Sequence, residues 1–378
     1  MKKSENNNQP GLMIDRDNQI VSFGNLYRGL QECKRGVMWK EGVASYSANA
    51  LKNTYLLKQD LINGKYRIKP YQYFTVTDPK RREVMATSIR DRQFQRSLCD
   101  SYLYDAITRS FVRDNFACQV GKGMDDALDR MEAHLHKYYR EHGSNNGWVL
   151  KCDIKKYFAS TSHDVAKAAV RKCVKDNNSV AAVEQIIDSF GETGIGLGSQ
   201  VSQLIELLVL DDLDHYIKET LRIKHYVRYM DDFMLIHDDK AYLQRCWEKI
   251  EKYLAELGLT LNHKTCIFPL EQGITFLKWR FYLTDTGKVV RKLSKKSIVK
   301  ERRKLRRMKH LVDGGKRAVA DVASSFMSWA ASAERERAER NTKKRRDGKI
   351  VRKGYNGEYV ERMRSYFIEL YGVDPYMI

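Results

Sequence analysis

Two aspartates interrupt an otherwise apolar stretch, HYVRYMDDFMLIH, and that interruption sets the terms for the fold. The segment reads as two strands separated by a turn at Met230, Asp231 and Asp232. Upstream, WVLKCDI (Trp148 to Ile154) is a short apolar run with one acidic residue near its end, suited to a buried strand that delivers Asp153 to a sheet edge. Between the two lie a helical region from His163 to Phe190, a glycine-rich loop GETGIGLGSQ, and a helix predicted over Val201 to Leu221 with Ser199 placed to cap it. A further helix is predicted from about Lys240 to Leu257. Strand, helices, then hairpin is the βαββ order of a split ferredoxin-like unit, so an α+β fold is expected, with Asp153 on a strand next to the one bearing Asp231 and Asp232.

The rest of the chain frames this unit. Residues 1–24 are polar and expected to be a loosely ordered tail, and Tyr27 to Asn63 carries apolar residues at helical spacings. YRIKPYQYFTVTDPKRREVMATS then predicts two strands around a basic turn at Asp78-Pro79. Helical patterning resumes through RDRQFQRSLCDSYLYDAITRSF and MDDALDRMEAHLHKYYREH, with Gly121 and Gly123 in the loop between them. TLNHKTCIFPL and GITFLKWRFYL predict a small antiparallel sheet. From Arg291 onward the chain is basic and helical.

With 378 residues, two or three packed subdomains are expected. Lys and Arg total 68 against 48 Asp and Glu, a net charge of +20 that suits a polyanionic partner. A solvated basic surface or anionic lipid would satisfy the same balance. The seven cysteines are scattered without CxxC spacing, which argues against a zinc or disulfide framework. The N-terminal residues lack the apolar core of a signal peptide, and no run of about 18 apolar residues predicts a membrane span. The cytoplasm of a prokaryotic or phage-infected cell is the expected setting.

Three converging carboxylates without His or Cys partners point to magnesium rather than zinc. In phosphoryl transfer, two such ions about 3.5–4 Å apart hold the attacking and leaving oxygens. Each element alone has an ordinary explanation, since Asp-Asp turns and strands ending in Asp are common. Their conjunction, in this order, carries the reading. His237-Asp238-Asp239 is expected to cap the helix that follows instead of adding metal ligands.

YMDD within RYMDDFMLIH resembles the active-site box of reverse transcriptases, and KCDIKKYF, Lys151 to Phe158, resembles their first catalytic box. The resemblance extends from about Tyr27 to Leu311. It implies a right-hand polymerase with fingers at 25–145 (basic hairpin 66–88), a palm at 146–285, and a basic helical thumb with a C-terminal extension at 286–378. It also implies Asp153, Asp231 and Asp232 as catalytic metal ligands with the main chain of Ile154, two Mg²⁺ ions with Mn²⁺ as a substitute, and deoxynucleotide, template RNA and primer as ligands. Phe158 takes the place of the aromatic gate against a 2′-hydroxyl, and Tyr157 beside it is also assigned to the nucleotide. In the fingers, DPKRRE resembles the triphosphate-contacting hairpin, assigning Lys80 and Arg82 to the nucleotide. Arg90, Arg92 and Lys122 fall in motifs that imply template contact. Tyr229 and Met230 are assigned to template and primer as well.

The loop IGLGSQVSQ resembles the box that commonly reads LPQG, but has Gly196 in place of Pro and Leu197 in place of Gln. Leu197 and Gly198 are thereby assigned to the nucleotide and Gln203 to template or primer. The Gly198 to Gln203 form is similar to enzymes of diversity-generating retroelements, which implies a cognate structured RNA, a small accessory protein and lowered fidelity. QGITFLKW resembles the primer-gripping element, assigning Gln272 and Gly273, although Lys278 stands where Gly is frequent. Arg303 and Arg307 lie on the basic helix assigned to the thumb, and Lys343 to Arg346 is a second basic cluster suited to RNA. After the primer-gripping element the chain is expected to have room for a thumb but not for an added RNase H. An antiphage-defence or retron-type enzyme, a non-catalytic RNA-binding palm and a nucleotide cyclase remain open as alternatives.

Overall fold

A computed structural model describes residues 11–77, 81–334 and 357–378. The chain divides into two compact units: Met1–Gly123 with Leu150–Leu235 and Ala241–Ile267, and Met124–Val149 with Ile236–Lys240 and Phe268–Ile378. Lys80 and the Lys343 to Arg346 cluster lie outside the described residues.

The first unit opens with helices at Phe23–Lys34, Ala50–Ile62 and Ile89–Leu98. The last of these starts where Ser88 accepts a hydrogen bond from the Asp91 amide, a side-chain cap. The expected hairpin forms from β1 (Gln72–Val76) and β2 (Arg82–Ala86), antiparallel, with Phe74 opposite Val84. Residues 11–22 depart from the loose tail read in the sequence. Leu12, Ile14, Ile20 and Val21 are buried, and the Leu12 and Ile14 amides donate to the Tyr66 and Leu61 carbonyls. Their apolar residues are few, but each meets a distant segment, which windowed composition does not register.

Four strands, β3 (Trp148–Asp153), β4 (His225–Tyr229), β5 (Asp232–His237) and β6 (Cys266–Pro269), form a sheet in the order β4-β5-β3-β6. The strand ending in Asp153 is therefore hydrogen-bonded to the strand beginning with Asp232. TLNHKTCIFPL does not join the second small sheet; its strand β6 extends this one beside β3. Helices at His163–Cys173 and Asn177–Asp188 replace the single helical region read in the sequence. The helix predicted over Val201 to Leu221 is broken at Leu210 into Gln200–Val209, Asp211–His215 and a wide turn at Tyr216–Thr220. Its predicted start holds: Ser199 accepts from the Ser202 amide.

In the second unit, helix Met124–His142 buries Leu128, Met131, Leu135 and Tyr138. A three-stranded antiparallel sheet is built from β7 (Ile274–Phe276), β8 (Trp279–Leu283) and β9 (Val289–Leu293). Leu277 and Lys278 join β7 to β8 with φ of 46° and 73°, the two positive values of a type I′ hairpin turn. Lys278 thus takes a backbone conformation that glycine adopts without strain. The basic helix Lys295–Asp313 and helices Val319–Glu334 and Gly357–Tyr371 complete the unit, with Phe326 and Phe367 buried against each other at 5.3 Å.

Candidate active site

Asp153 lies at the end of β3, Asp231 in the turn between β4 and β5, and Asp232 at the start of β5. Although 27% of the Asp232 side chain is accessible, its Oδ1 is shut off from solvent and has no hydrogen-bond partner. Lys151 Nζ stands 3.7 Å from that oxygen, an ion pair too long for a hydrogen bond. Burial is the main reason the Asp232 pKa is pushed up to about 6; Lys151 opposes the rise, while Asp153 and Asp231 add to it. Asp153 and Asp231 therefore both act on Asp232 as like charges. Among the described residues no three His, Cys, Asp or Glu side chains are already gathered as a metal-binding group. A buried carboxylate oxygen with no hydrogen bond, offset only by Lys151 at 3.7 Å and with two further carboxylates acting on it, is a donor set that fits Mg²⁺.

The turn after β3 is fastened at several points. The Asp153 carbonyl accepts from the Asn262 amide at 2.7 Å and the Lys155 amide donates to the Thr260 carbonyl at 2.9 Å. Neither bond engages the carbonyl of Ile154, whose side chain is buried. Lys156 takes the left-handed conformation, φ 49°, and starts a short helix, Tyr157–Ser160. Phe158 is half-buried there, edge-on to Tyr157. Tyr157 does not face the open site as the resemblance implied: it is 2% exposed, and its hydroxyl donates to the Glu206 carbonyl at 2.6 Å. Position next to the gate suggested contact with the nucleotide, but packing under helix Gln200–Val209 claims the ring.

The glycine loop straps onto this turn and onto the β1–β2 hairpin. The Ile195 amide donates to the Phe158 carbonyl, and the Gly194 amide to that of Thr161. On the other side the Met85 amide of β2 donates to the Leu197 carbonyl at 3.1 Å. Gly198 sits at φ 129°, and a Cβ there would lie 2.8 Å from the Met85 carbonyl oxygen, so the close approach of loop and hairpin requires glycine. Gln203 is exposed on the helix that follows.

The basic residues divide into engaged and open ones. Arg90 pairs with Asp60 at 2.8 Å and lies over the Tyr66 ring, an arrangement that ties helix Ile89–Leu98 to helix Ala50–Ile62 and the segment after it. Lys122 donates to the Asn115 and Arg113 carbonyls. Arg82 is exposed on β2. Arg92 keeps a buried Nε without a hydrogen-bond partner and lines a cavity of about 120 Å³ with Gly198, Ser199 and Gln200. In the second unit Gly273, φ 79°, allows close passage of the Phe281 carbonyl, and the Gln272 carbonyl accepts from Arg280. Arg302 and Arg306 flank Tyr366, whereas Arg303 and Arg307 are exposed together, one turn apart.

Three residues at the site escaped the motif reading. Glu206 is fully buried on helix Gln200–Val209, accepts from Thr161 Oγ1 at 3.0 Å, and leaves Oε1 without a partner. Burial above all, with Asp231 adding, pushes its pKa up to about 8 against the hydrogen bonds of Thr161 and Tyr157. A lone Glu in the apolar run QVSQLIELLVL was the only signal. Arg228 and Asp214 form a wholly buried ion pair behind the Asp231 turn, joined by the Tyr226 hydroxyl. Burial disfavours the Arg228 charge, but Asp214 outweighs it and the pKa rises.

The chain is similar to several known proteins. The family described as "Reverse transcriptase (RNA-dependent DNA polymerase)" matches residues 78–300. Protein YkfC of Escherichia coli (strain K12) is 23% identical, over 60% of this chain and 70% of its own length. Among solved structures, apo telomerase from Candida tropicalis, truncated from its C-terminal domain, matches at 14% identity with a TM-score of 0.46, covering 59% of this chain and 56% of that one. Telomerase from Candida albicans, in complex with a fragment of telomeric RNA, matches at 12% identity and a TM-score of 0.48, covering 73% and 55%. The chain thus spans about half the length of those telomerase chains.

Proposed function

The chain belongs to the reverse transcriptase family, with the α+β right-hand polymerase fold of that family, and on that premise we propose that it is an active RNA-directed DNA polymerase. The observation that carries the reading is the buried Asp232 oxygen that accepts no hydrogen bond, on which Asp153 and Asp231 act. Two bound Mg²⁺ ions would supply activation of the primer 3′-hydroxyl and charge neutralisation on the departing pyrophosphate. Asp153, Asp231 and Asp232 would hold those ions, with the Ile154 carbonyl as a further oxygen. Lys151 limits the repulsion at Asp232 before they bind. Phe158, its main chain held by the glycine loop, would crowd a ribose 2′-hydroxyl. Arg82, with Lys80 two residues before it in the sequence, would meet the triphosphate, and their positive charge would offset the charge that develops there.

In this reading residues 25–145 serve as fingers, 146–285 as palm and 286–378 as thumb, and the exposed Arg303 and Arg307 meet the template–primer backbone. Of the roles open to the family, the Gly198 to Gln203 sequence favours a retroelement enzyme of the diversity-generating type, with defence or retron-type synthesis as the other reading. Primer extension on poly(rA)/oligo(dT) with Mg²⁺ tests the activity, comparing wild type with Asp231→Asn. Extension by the wild type alone is expected; none by either protein would leave an RNA-binding palm as the better description.

A further inference from the structure

The Arg228–Asp214 pair is expensive to bury, and its placement says what it is for. Both side chains are fully buried. Arg228 Nε donates to Asp214 Oδ1 at 2.7 Å and Nη2 to Oδ2 at 2.5 Å, while the Tyr226 hydroxyl holds Oδ1 from the other side at 2.5 Å. A hydrophobic replacement of such a pair is often no less stable, so stability alone is a weak reason for its presence. The remaining donors are more informative. Nη2 also reaches the Leu207 carbonyl at 3.2 Å, on the helix that carries Glu206, and Nη1 reaches the Met230 carbonyl at 3.2 Å.

That last bond closes a loop from β4 onto its own turn. Met230 has φ 58°, a left-handed conformation that a non-glycine residue adopts at a cost of about 1 kcal/mol. Its carbonyl belongs to the peptide that leads into Asp231, so the orientation of that peptide plane constrains the backbone from which the Asp231 side chain departs. The Arg228 main chain is held as well: its amide donates to the Asp114 carbonyl and its carbonyl accepts from the Phe116 amide. The guanidinium therefore has no slack to pass on to the turn.

We propose that Arg228, oriented by Asp214 and Tyr226, is a positioning residue that sets the Met230–Asp231 peptide and with it the metal-holding direction of the Asp231 carboxylate. Its consequence for catalysis rests on the polymerase reading; its effect on cation binding does not. Partners that orient metal ligands change affinity or activity by about 10–100-fold when removed, and a shift of that size is expected here.

The test uses the full chain and Mn²⁺ as probe, with binding followed by electron paramagnetic resonance, alongside thermal unfolding and primer extension. Two variants are compared with wild type: Asp214→Leu/Arg228→Met, which replaces the pair with apolar groups, and Arg228→Lys, which keeps the charge but shortens the reach to Met230. In folded variants, Mn²⁺ binding about tenfold weaker or worse is expected, with a higher Mg²⁺ requirement and lower kcat for extension but unchanged KM for deoxynucleotide. If one variant fails to fold, the other decides. Mn²⁺ binding by a folded variant within about twofold of wild type overturns the positioning role. A wild type that binds Mn²⁺ through Asp231 yet extends no primer removes the polymerase reading, while weaker binding by the variants still supports the clamp.

Discussion

Replacing Glu206 with glutamine should make the protein more stable, and increasingly so as the pH rises. Glu206 has a folded pKa of about 8 against an ordinary value of 4.5. A carboxyl whose folded pKa is raised binds its proton more tightly in the native state than in the unfolded one. Stability contributed by that proton is therefore whole below pH 4.5 and falls as the pH climbs toward 8, above which the loss is complete. The loss relative to a neutral side chain is less than about 1 kcal/mol at pH 5 and roughly 3 kcal/mol at pH 7 by linkage. Glutamine keeps the acceptor for Thr161 Oγ1, puts an amide where Oε1 has no partner, and cannot ionise. The groups acting on the site are Asp231, Thr161 and Tyr157, and all three stay in place. Thermal melts with EDTA present, from pH 5 to pH 8, should show the two proteins nearly equal at pH 5 and the variant ahead by several degrees at pH 7, at about 2–4 °C per kcal/mol. EDTA matters because a cation beside Asp231 would relieve part of the repulsion. A wild-type-to-variant difference that does not change with pH would refute the assignment of Glu206 as a buried, neutral acid.

Two further outcomes follow from the geometry. Gly198→Ala forces a Cβ to within 2.8 Å of the Met85 carbonyl at φ 129°; it should cost about 1–3 kcal/mol of local strain and depress primer extension more than it lowers the melting temperature, because the loop joins the hairpin to the Phe158 turn. Arg303→Ala and Arg307→Ala should each weaken template–primer binding with little regard to sequence and reduce the slope of log affinity against log salt by about one; a slope unchanged in the double variant would remove that helix from the backbone interface.

The chemistry was legible in the chain because it is local. YMDD and KCDI are contiguous, their strands announce themselves by apolar runs, and a hairpin with a split βαβ order leaves few places for Asp153 other than beside Asp232. Ser199 as a cap was likewise readable, since it depends on neighbours in sequence; the positive-φ turn at Leu277 and Lys278, without a glycine to mark it, was not. Tertiary structure alone decided the rest. Nothing near Arg90 in the sequence announces its pairing with Asp60 and Tyr66, nor does anything near Tyr157 announce the bond of its hydroxyl to Glu206. Likewise Arg228, one residue before the motif, carries no mark of its bond to Asp214, because a charge on an apolar strand reads the same whether water or a buried partner receives it. Periodicity and motif spacing report which way a backbone runs. Which polar groups find one another in the interior depends on distances between segments far apart in the chain, and there the low dielectric makes each pairing matter.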